Sequence, residues 1–336
     1  MKKALLLVLT VFLYLVAPAQ EYRNLVFEGA GIRGIAYSGV VRVLEQEGVL
    51  PGIQKVGGTS AGAITALLVA LNYSAAEIDT IVSETPFQRF NDGHYWLAGG
   101  WQRMRRHYGW YRKQAFERWL QEIIVRKTGN ADITFAGLQA AGYKSLYVTG
   151  TCLNRQQLLV FSPETYPQMK VKDAVSISMS IPLYFEASFI DAQGKVYRGK
   201  HIPAGTDIVV DGGLTGNFPI FLFDSIDHTV VPALRIANPA TLGVRIDEPE
   251  QIDLDQAHTS TLAPADIHNL NTYIAALYVY TIENLNRNLL TKEDWARTIS
   301  ASSVGIGPRI RKLSAKEKQE LIHSGEVHTS RFLKRY

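Results

Sequence analysis

Hydrophobic positions near the start of the chain predict two consecutive units of strand, glycine turn and helix. Each unit begins with a short apolar run, continues through several glycines, and ends in a helical run with many apolar positions. The strands are predicted at residues 25–27 and 53–56, the turns at 29–34 and 57–62, and the helices at 35–44 and 64–71. Two such units in succession indicate a parallel sheet covered by helices.

The rest of the chain continues this pattern without a linker that would mark a second domain. Further β-rich runs occur at residues 145–153, 158–161, 208–210, 242–246 and 298–300. Residues 265–290 are helix-like, and Ser314 with Glu317 has the capping-box form of a last helix, which Gly325 is expected to close. We therefore expect one α/β domain over residues 20–336, with a helical C-terminal part from about residue 264.

The first 19 residues are typical of a signal peptide. Lys2 and Lys3 precede an apolar run at 4–16, which is shorter than the roughly 20 residues that a membrane-spanning helix needs. Small residues then precede the expected cleavage after Ala19. The prediction is export to the periplasm or the medium, with an uncleaved N-terminal anchor as the alternative.

Composition narrows the classes of protein. With 336 residues, of which 46% are hydrophobic and 20% charged, the chain can bury a core, which excludes disorder. A formal net charge of +4 is too small to indicate a particular partner. Cys152 is the only cysteine, so a disulfide scaffold is excluded, and no metal-binding motif occurs in the sequence. Neither a metal nor an organic cofactor is expected.

The second glycine turn fits the G-x-S-x-G pattern of a nucleophile elbow, with Gly58, Ser60 and Gly62 at its fixed positions. Small residues around the serine allow a tight turn that exposes its hydroxyl. The apolar strand before the turn and the apolar helix after it are the context that this motif requires. The helix that begins at Ala61 places its positive end beside Ser60 and favours negative charge there. A plain glycine turn, with the serine as a helix cap, is the alternative.

The first glycine turn permits two interpretations. It fits the dinucleotide-binding pattern G-x-G-x-x-G with Gly29, Ala30, Gly31, Ile32, Arg33 and Gly34. A dinucleotide site also needs an acidic residue at the end of the second strand, but residues 53–56 are Ile-Gln-Lys-Val. In the other interpretation, backbone N–H groups of the turn stabilise an oxyanion, a role worth roughly 2.7–4 kcal/mol per donor. Arg33 would then position the loop or an anionic ligand.

A candidate general base follows a later strand. Asp211 ends an apolar run at 208–210, and Gly212 and Gly213 leave room beside its carboxylate. Aspartate has an ordinary pKa of about 3.9, so it becomes an effective base for a hydroxyl only where its surroundings raise that pKa. An Asp-Gly-Gly sequence taken alone is more often merely a turn.

Together the three motifs resemble the patatin-like phospholipase family over nearly all of the mature chain. That family combines a G-G-G-x-[RK]-G loop, a G-x-S-x-G elbow and a D-G-[GA] turn, which match residues 29–34, 58–62 and 211–213 here. Their order and spacing both agree with the family. Further similar segments are residues 176–185, 217–219, 297–299 and 313–325.

The resemblance implies a three-layer α/β fold with a mostly parallel sheet, in an exported bacterial hydrolase of fatty-acyl esters of phospholipids or related lipids. It implies that Ser60 is the nucleophile and Asp211 the base of a dyad without histidine, acting through an acyl-enzyme. The amides around Gly31, Ile32 and Ala61 would bind the oxyanion. Ala30 departs from the family's second glycine, and its methyl group would crowd a donor if this position needed a positive φ.

Two other functions fit the same residues. A Ser-His-Asp esterase of the α/β-hydrolase type would use a histidine after Asp211, and the chain offers His228, His258 and His268 in the correct order. One feature argues against this esterase. Ser60 follows only the second recognisable strand, which leaves little room for the strands that normally precede the nucleophile elbow of that fold. A catalytically weak lipid-binding protein is the alternative without an enzyme activity.

One aromatic and basic segment is the predicted contact with lipid. Residues 93–116 contain no acidic side chain, and basic residues alternate with aromatic ones, among them Trp96, Trp101, Arg105, Arg106 and Trp110. In an exported esterase this pattern favours a lid or a membrane-surface patch over stacking on nucleic acid. A helical cap with inward aromatic rings and solvated arginines is the alternative.

Overall fold

The structure, a computed structural model, describes residues 21–93, 96–199, 201–256, 261–287 and 289–335. The predicted signal peptide at residues 1–19 lies outside these ranges, and so does His258. None of the helices within them is both long enough and apolar enough to cross a membrane.

Strands and helices alternate along most of the described chain. The strands are β1 (Asn24–Phe27), β2 (Lys55–Gly58), β3 (Gly109–Tyr111), β4 (Ser145–Cys152), β5 (Gln157–Phe161), β6 (Leu183–Phe185), β7 (Ser188–Ile190), β8 (Val196–Tyr197), β9 (Asp207–Asp211), β10 (Ser225–Asp227), β11 (Leu234–Ile236), β12 (Thr241–Asp247) and β13 (Thr298–Ser302). The α-helices are α1 (Ala36–Gln46), α2 (Ala61–Ala70), α3 (Ala75–Glu84), α4 (Trp96–His107), α5 (Gln114–Thr128), α6 (Phe135–Ala140), α7 (Val171–Ser178), α8 (Gly213–Gly216), α9 (Pro249–Gln256), α10 (Leu270–Arg287), α11 (Lys292–Ala296) and α12 (Ala315–Leu333). Short 3-10 helices span Gly31–Ile35, Leu50–Gly52, Phe87–Phe90 and Ile220–Phe223.

The main sheet follows the order β13-β12-β1-β2-β4-β9-β7-β8, and β5 also pairs with β4. Strands β13, β12, β1, β2 and β4 are parallel, while β5, β9, β7 and β8 join through antiparallel pairs. The predicted α/β fold with a mostly parallel sheet flanked by helices is confirmed. Because β12 pairs with β1 and β13 pairs with β12, strands from the last third of the chain belong to the same sheet as the strand before the first glycine turn.

Two of the elements beside the glycine turns, β1 and α2, are buried on all sides. All four residues of β1 are buried, as expected for a central strand of a parallel sheet covered on both faces. All ten residues of α2 are buried as well, and its sequence is apolar around the whole helix. The turn between β2 and α2 is therefore held by two elements of the core.

The last helix differs from its prediction at Gly325. As predicted, α12 begins with a capping box between Ser314 and Glu317, but the helix continues to Leu333. A β-carbon at Gly325 would collide with the carbonyl oxygen of Ala36 in α1. This glycine lets α1 and α12 pack closely and does not end the helix.

The helix predicted from residue 265 begins later, at Leu270. The side chain of Asn269 accepts a hydrogen bond from the N–H of Thr272 at 3.0 Å, which is the contact of an N-cap residue. Residues 261–269 before it are not helical. The predicted helix is therefore shorter in the structure and is followed by α11.

Candidate active site

The pairing of β4 brings Ser60 and Asp211 together. Strand β5 pairs with the second half of β4 along one edge, so β2 and β9 share the other edge. At their carboxyl ends, Gly58 of β2 lies opposite Val148 and Asp211 of β9 lies opposite Gly150. Because β2 and β9 run in opposite directions, these two ends meet. Ser60 follows Gly58 at this junction.

The backbone at Ser60 has the strained form of a nucleophile elbow. Its φ of 53° and ψ of −122° lie in a region that non-glycine residues seldom adopt, at a cost of roughly 1–3 kcal/mol. A β-carbon at Gly58 would approach the carbonyl group of Gly62 to 2.5 Å, and one at Gly62 would collide with the carbonyl oxygen of Phe27. Close packing therefore requires both glycines of the motif.

The last residue of α7 and the residue after it contact Ser60. The N–H of Ser60 donates to Oγ of Ser178 at 2.8 Å, and its hydroxyl donates to the sulfur of Met179 at 3.4 Å. Ser60 is only 6% exposed. A thioether sulfur is a weak acceptor, so this hydrogen bond holds the hydroxyl less firmly than an oxygen would.

Asp211 has one fixed oxygen and one unpaired oxygen. It is 2% exposed, and its Oδ1 accepts the N–H of Gly213 at 2.7 Å. Among the described residues, Oδ2 has no hydrogen-bond partner. Burial raises the pKa of Asp211 to about 7, while the Gly213 N–H and the Ser60 hydroxyl act in the opposite direction. A buried carboxylate with such a pKa and a free oxygen can accept a proton from a hydroxyl at neutral pH.

The Ser60 hydroxyl is near two acceptors. Its hydrogen bond is directed at Met179, yet the hydroxyl is also close enough to Asp211 to lower the pKa of that carboxyl group. Rotation about the Cα–Cβ bond of Ser60 would exchange the sulfur for the carboxylate, and such rotation between staggered positions is an ordinary freedom of serine.

Histidine does not contribute to the Ser60 and Asp211 contacts in the described ranges. His228 and His268 are both exposed, and the groups that shift the pKa of Asp211 include no histidine. His258 lies outside the described residues. The arrangement favours a Ser-Asp dyad over the triad.

The first glycine turn packs directly against the elbow. A β-carbon at Gly29 would lie 3.4 Å from Cβ of Ser60, and one at Gly34 would lie 2.9 Å from Cβ of Ala61. The two turns are thus neighbours across β1 and β2, as a shared oxyanion site requires.

The N–H groups of this turn divide into occupied and free ones. The occupied groups are those of Gly29, which donates to Asn217, of Ile32, which donates to Pro308, and of Arg33, which donates to Ala30. No described residue accepts the N–H of Ala30, Gly31 or Ala61. The prediction that Ile32 donates to an oxyanion does not fit this geometry, because the Pro308 carbonyl lies 3.1 Å from its nitrogen.

Ala30 fits the turn without crowding it. Its φ is −131°, an ordinary value for alanine, whereas the positive φ of +56° belongs to Gly31. Arg33 holds the turn from within, since its Nε donates to the carbonyl oxygen of Ala30 at 3.2 Å and its guanidinium lies 3.7 Å from Glu248. The departure from the family pattern at residue 30 therefore leaves the backbone of the turn intact.

Asn217 connects the first glycine turn to α10, which also bonds to the turn after Asp211. Its Nδ2 donates to the carbonyl oxygen of Gly29 at 3.1 Å, and its carbonyl accepts the N–H of Gly29 at 3.0 Å. Its own N–H donates to Asn286 Oδ1 at 2.6 Å, and Asn286 Nδ2 donates to the Gly213 carbonyl at 3.2 Å. Asn217 lies in a segment that the sequence marks as similar to the family, whereas nothing in the sequence marks Asn286.

Helix α10 covers the Asp211 turn. Cδ1 of Ile282 lies 3.4 Å from the position that a β-carbon of Gly213 would take. Burial raises the pKa of Tyr278 well above its usual value, and the negative charge of Asp211 adds to this effect. The sequence predicts a helix here, but its apolar pattern does not indicate that it lies over the candidate base.

The aromatic and basic segment is partly a cap and partly a surface. Trp101 is 64% exposed, and Arg105 and Arg106 are also exposed. Trp110 is half-buried, with its ring against α4. Trp96 begins α4, and its side chain lies outside the described part.

The described residues contain no group of three or more His, Cys, Asp and Glu side chains placed to hold a metal ion. Cys152 is buried in β4, and its sulfur lies 3.3 Å from Oδ1 of Asn154. A buried cysteine of this kind behaves as a small apolar residue.

Comparison with known proteins identifies the family. The sequence model of the patatin-like phospholipase family matches residues 25–224, which is more than half of the chain, so the protein belongs to this family. The Bacillus subtilis protein YqhO is 30% identical over 220 residues, which cover 60% of this chain and 67% of YqhO. Family membership supports lipid hydrolysis as the class of activity.

Solved structures agree on the fold. VipD from Legionella pneumophila matches 94% of this chain and 67% of its own, with a TM-score of 0.55 and 15% identity. ExoU, solved with SpcU from Pseudomonas aeruginosa, matches 94% of this chain but only 52% of its own, with a TM-score of 0.51 and 20% identity. At these identities the likeness concerns the fold alone, and the chain spans only about half to two thirds of these larger proteins.

Proposed function

We propose that the protein is a serine acyl hydrolase that cleaves fatty-acyl esters of phospholipids or related lipids with a Ser-Asp dyad. One observation carries this proposal: the unpaired Oδ2 of Asp211, which burial gives a pKa of about 7, lies beside a serine in the elbow conformation. A buried base and a strained nucleophile together are typical of an active site.

In the first step, Oγ of Ser60 attacks the ester carbonyl carbon and its proton moves to Oδ2 of Asp211. The carbonyl oxygen becomes an oxyanion, which the free N–H groups of Ala30, Gly31 and Ala61 stabilise. When the C–O bond breaks, the leaving alcohol takes the proton from Asp211. The acyl group then remains on Ser60.

In the second step, water replaces the alcohol. Asp211 removes a proton from the water, the oxygen attacks the acyl carbon, and the same N–H groups again stabilise the oxyanion. Ser60 leaves with the proton from Asp211, and the fatty acid is released. The cycle needs no group beyond these side chains, amides and water.

We also propose that the protein acts after export. The support is the N-terminal sequence, in which a short apolar run follows two lysines and leads to small residues. An exposed Trp101 and exposed arginines on α4 are compatible with contact at a lipid surface. Mass measurement of the mature protein from the medium or periplasm tests cleavage after Ala19.

Labelling with a fluorophosphonate tests the nucleophile. The wild type should be labelled, and Ser60→Ala should not be, because the probe reacts with an activated serine. Retained labelling of Ser60→Ala, or none of the folded wild type, would contradict the proposal. The second result would favour a lipid-binding protein without catalysis.

Hydrolysis of a short soluble ester distinguishes the dyad from a triad. Asp211→Ala should lower kcat by at least about 100-fold, which is the lower end of general-base effects. His228→Ala, His258→Ala and His268→Ala serve as controls and should retain activity. A comparable loss in any of these histidine variants would favour the Ser-His-Asp mechanism.

A further inference from the structure

A basic cavity lies between α4, α5, β7 and β8. Its volume is about 1110 Å³, larger than the roughly 300–1,000 Å³ of common small-molecule sites, so it can take more than a bare ion. Neither Ser60 nor Asp211 is among its lining residues. The charged side chains in its wall are Arg103, Arg106, Arg112, Lys113, Arg198, Glu117 and Glu186.

Several of these cations have no carboxylate partner. Arg198 is neutralised by Glu117 at 2.7 Å and is also close to an aspartate. In contrast, none of Arg106, Arg112 and Lys113 forms an ion pair with a carboxylate of the described residues. Glu186 also lines the cavity; burial raises the pKa of its carboxyl group, and the charges of Arg112 and Lys113 act in the opposite direction.

Lys113 is a buried cation whose hydrogen-bond partners are all neutral. It is 8% exposed, and its Nζ donates to Oγ of Ser180 at 2.5 Å and to Oγ of Ser188 at 2.8 Å. A third contact, to the Ser176 carbonyl, is longer at 3.5 Å. Burial lowers the pKa of Lys113 to about 8, and nearby carboxylates such as Glu117 only partly offset this effect. Burying a charge without a directly bonded opposite charge is costly, so an anion bound beside Lys113 would be stabilised.

We propose that this cavity binds a phosphate-bearing anion, with Arg106 and Arg112 as direct ligands and Lys113 as the positive charge at its base. Arginine offers a planar set of donors that fits phosphate oxygens in pairs. A phosphate monoester carries close to two negative charges and three acceptor oxygens, which match several separate cations better than a single carboxylate does.

The cavity ends directly behind the candidate active site. The Ser180 hydroxyl accepts from Lys113, and the Ser180 carbonyl accepts the N–H of Asp211 at 3.0 Å. The anion site is therefore separate from the nucleophile but joined to the base through one residue. Its ligand can be either the headgroup of a lipid or a soluble phosphate ester.

Binding to Ser60→Ala protein tests the site independently of any hydrolysis. Glycerol phosphate is titrated calorimetrically, and phosphatidylcholine vesicles with and without phosphatidic acid are used for cosedimentation. The cavity variant is Arg106→Gln with Arg112→Gln. The control is Arg118→Gln with Arg126→Gln, which removes the same charge from exposed positions of α5 outside the cavity.

The cavity variant should weaken binding by about 100-fold, or about tenfold for each charge-assisted contact, while the control binds nearly as the parent does. Loss with both probes would assign the site to phosphate esters in general, and loss with vesicles alone would assign it to a lipid headgroup. No binding of either probe, or equal loss in both variants, would overturn the proposal. Failure of the labelling test on Ser60 would leave these binding results intact.

Discussion

The two glycine turns and helix α10 surround the junction of Ser60 and Asp211, yet they are built differently. At the turns, close packing excludes a side chain from Gly31, Gly58 and Gly62, and the surrounding strands and helix are buried. Helix α10 is fixed near its carboxyl end, where Asn286 bonds to the Asp211 turn. Its amino-terminal half exposes an apolar row: Leu270 at 72%, Ile274 at 55% and Leu277 at 55%.

This difference suggests that the turns determine the chemistry of the site, whereas α10 determines how a lipid reaches it. The geometry of Ser60, Asp211 and the free amides is set by core packing and is present before a substrate arrives. Helix α10 carries exposed apolar side chains. Moving them from water into contact with lipid would lower the free energy. Variants in the turns should therefore affect every substrate, and variants in the outer row of α10 should affect only aggregated lipid.

The largest effect is expected in the first turn. Gly31→Ala should lower kcat on a soluble ester by about 100- to 1,000-fold, the cost of losing one oxyanion donor, because a β-carbon collides with the Pro308 carbonyl. Ala30→Gly is the matched control and should change kcat little, since residue 30 has a negative φ. Similar losses in both variants would mean that the turn has no role specific to the free amides.

The next effect concerns stability and pH. The pKa of Asp211 rises from 3.8 to about 7 on folding, so ionisation of this buried group destabilises the folded protein. The penalty is absent below the unfolded pKa, grows as pH rises between the two values, and is constant above the folded one. Asp211→Asn avoids it and should be more stable by roughly 2–4 kcal/mol at pH 8. Denaturant unfolding should show this gain at pH 8 and its loss near pH 4; equal gains at both would contradict the burial effect.

A smaller effect is expected where the turns join α10. Asn286→Ala removes the hydrogen bonds to Asn217 and to Gly213 and should lower kcat by about tenfold, with a smaller change in KM. Asn284→Ala, two positions earlier in the same helix, is the control for loss of an asparagine. If the Asn286 variant is less stable but its folded fraction keeps the wild-type kcat, the role of Asn286 is only structural.

The smallest effect should come from the outer row of α10. Serine at Leu270, Ile274 and Leu277 should lower hydrolysis of vesicle phospholipid by roughly three- to tenfold and leave a short soluble ester unaffected. Trp101→Ser changes the exposed aromatic surface of α4, and its effect on the same two substrates is measured for comparison. Equal losses of activity on vesicles and on the soluble ester would mean that these three side chains support folding and do not contact lipid.

The sequence predicts the unit of strand, turn and helix around Ser60 well because its signals are local. Strand, turn and helix around Ser60 follow from apolar runs and glycines within a few residues of one another, and Ser314 correctly predicts the start of α12. The roles of Ser60 and Asp211 as catalytic groups stay predictions, although the fold brings them together. The prediction that Gly325 ends the last helix is wrong because a glycine that ends a helix and one that lets two helices pack closely have the same sequence signal until the partner helix is known.

The remaining parts of the site depend on distant contacts. Met179 approaches Ser60 across 119 positions of sequence, and Asn286 approaches Asn217 across 69. Neither residue type has a local pattern that indicates such a partner. The occupied amide of Ile32 likewise depends on the carbonyl of Pro308, which a motif of six residues cannot contain.

The pH dependence of fluorophosphonate labelling at Ser60 tests the central claim most directly. If Asp211 activates this serine, the labelling rate should rise with pH through a single ionisation near 7, the pKa that burial gives to Asp211, because only the charged carboxylate accepts the proton. The same profile should persist in the histidine variants and vanish in Asp211→Asn. A profile that survives in Asp211→Asn, or that disappears when one histidine is replaced, would contradict the account.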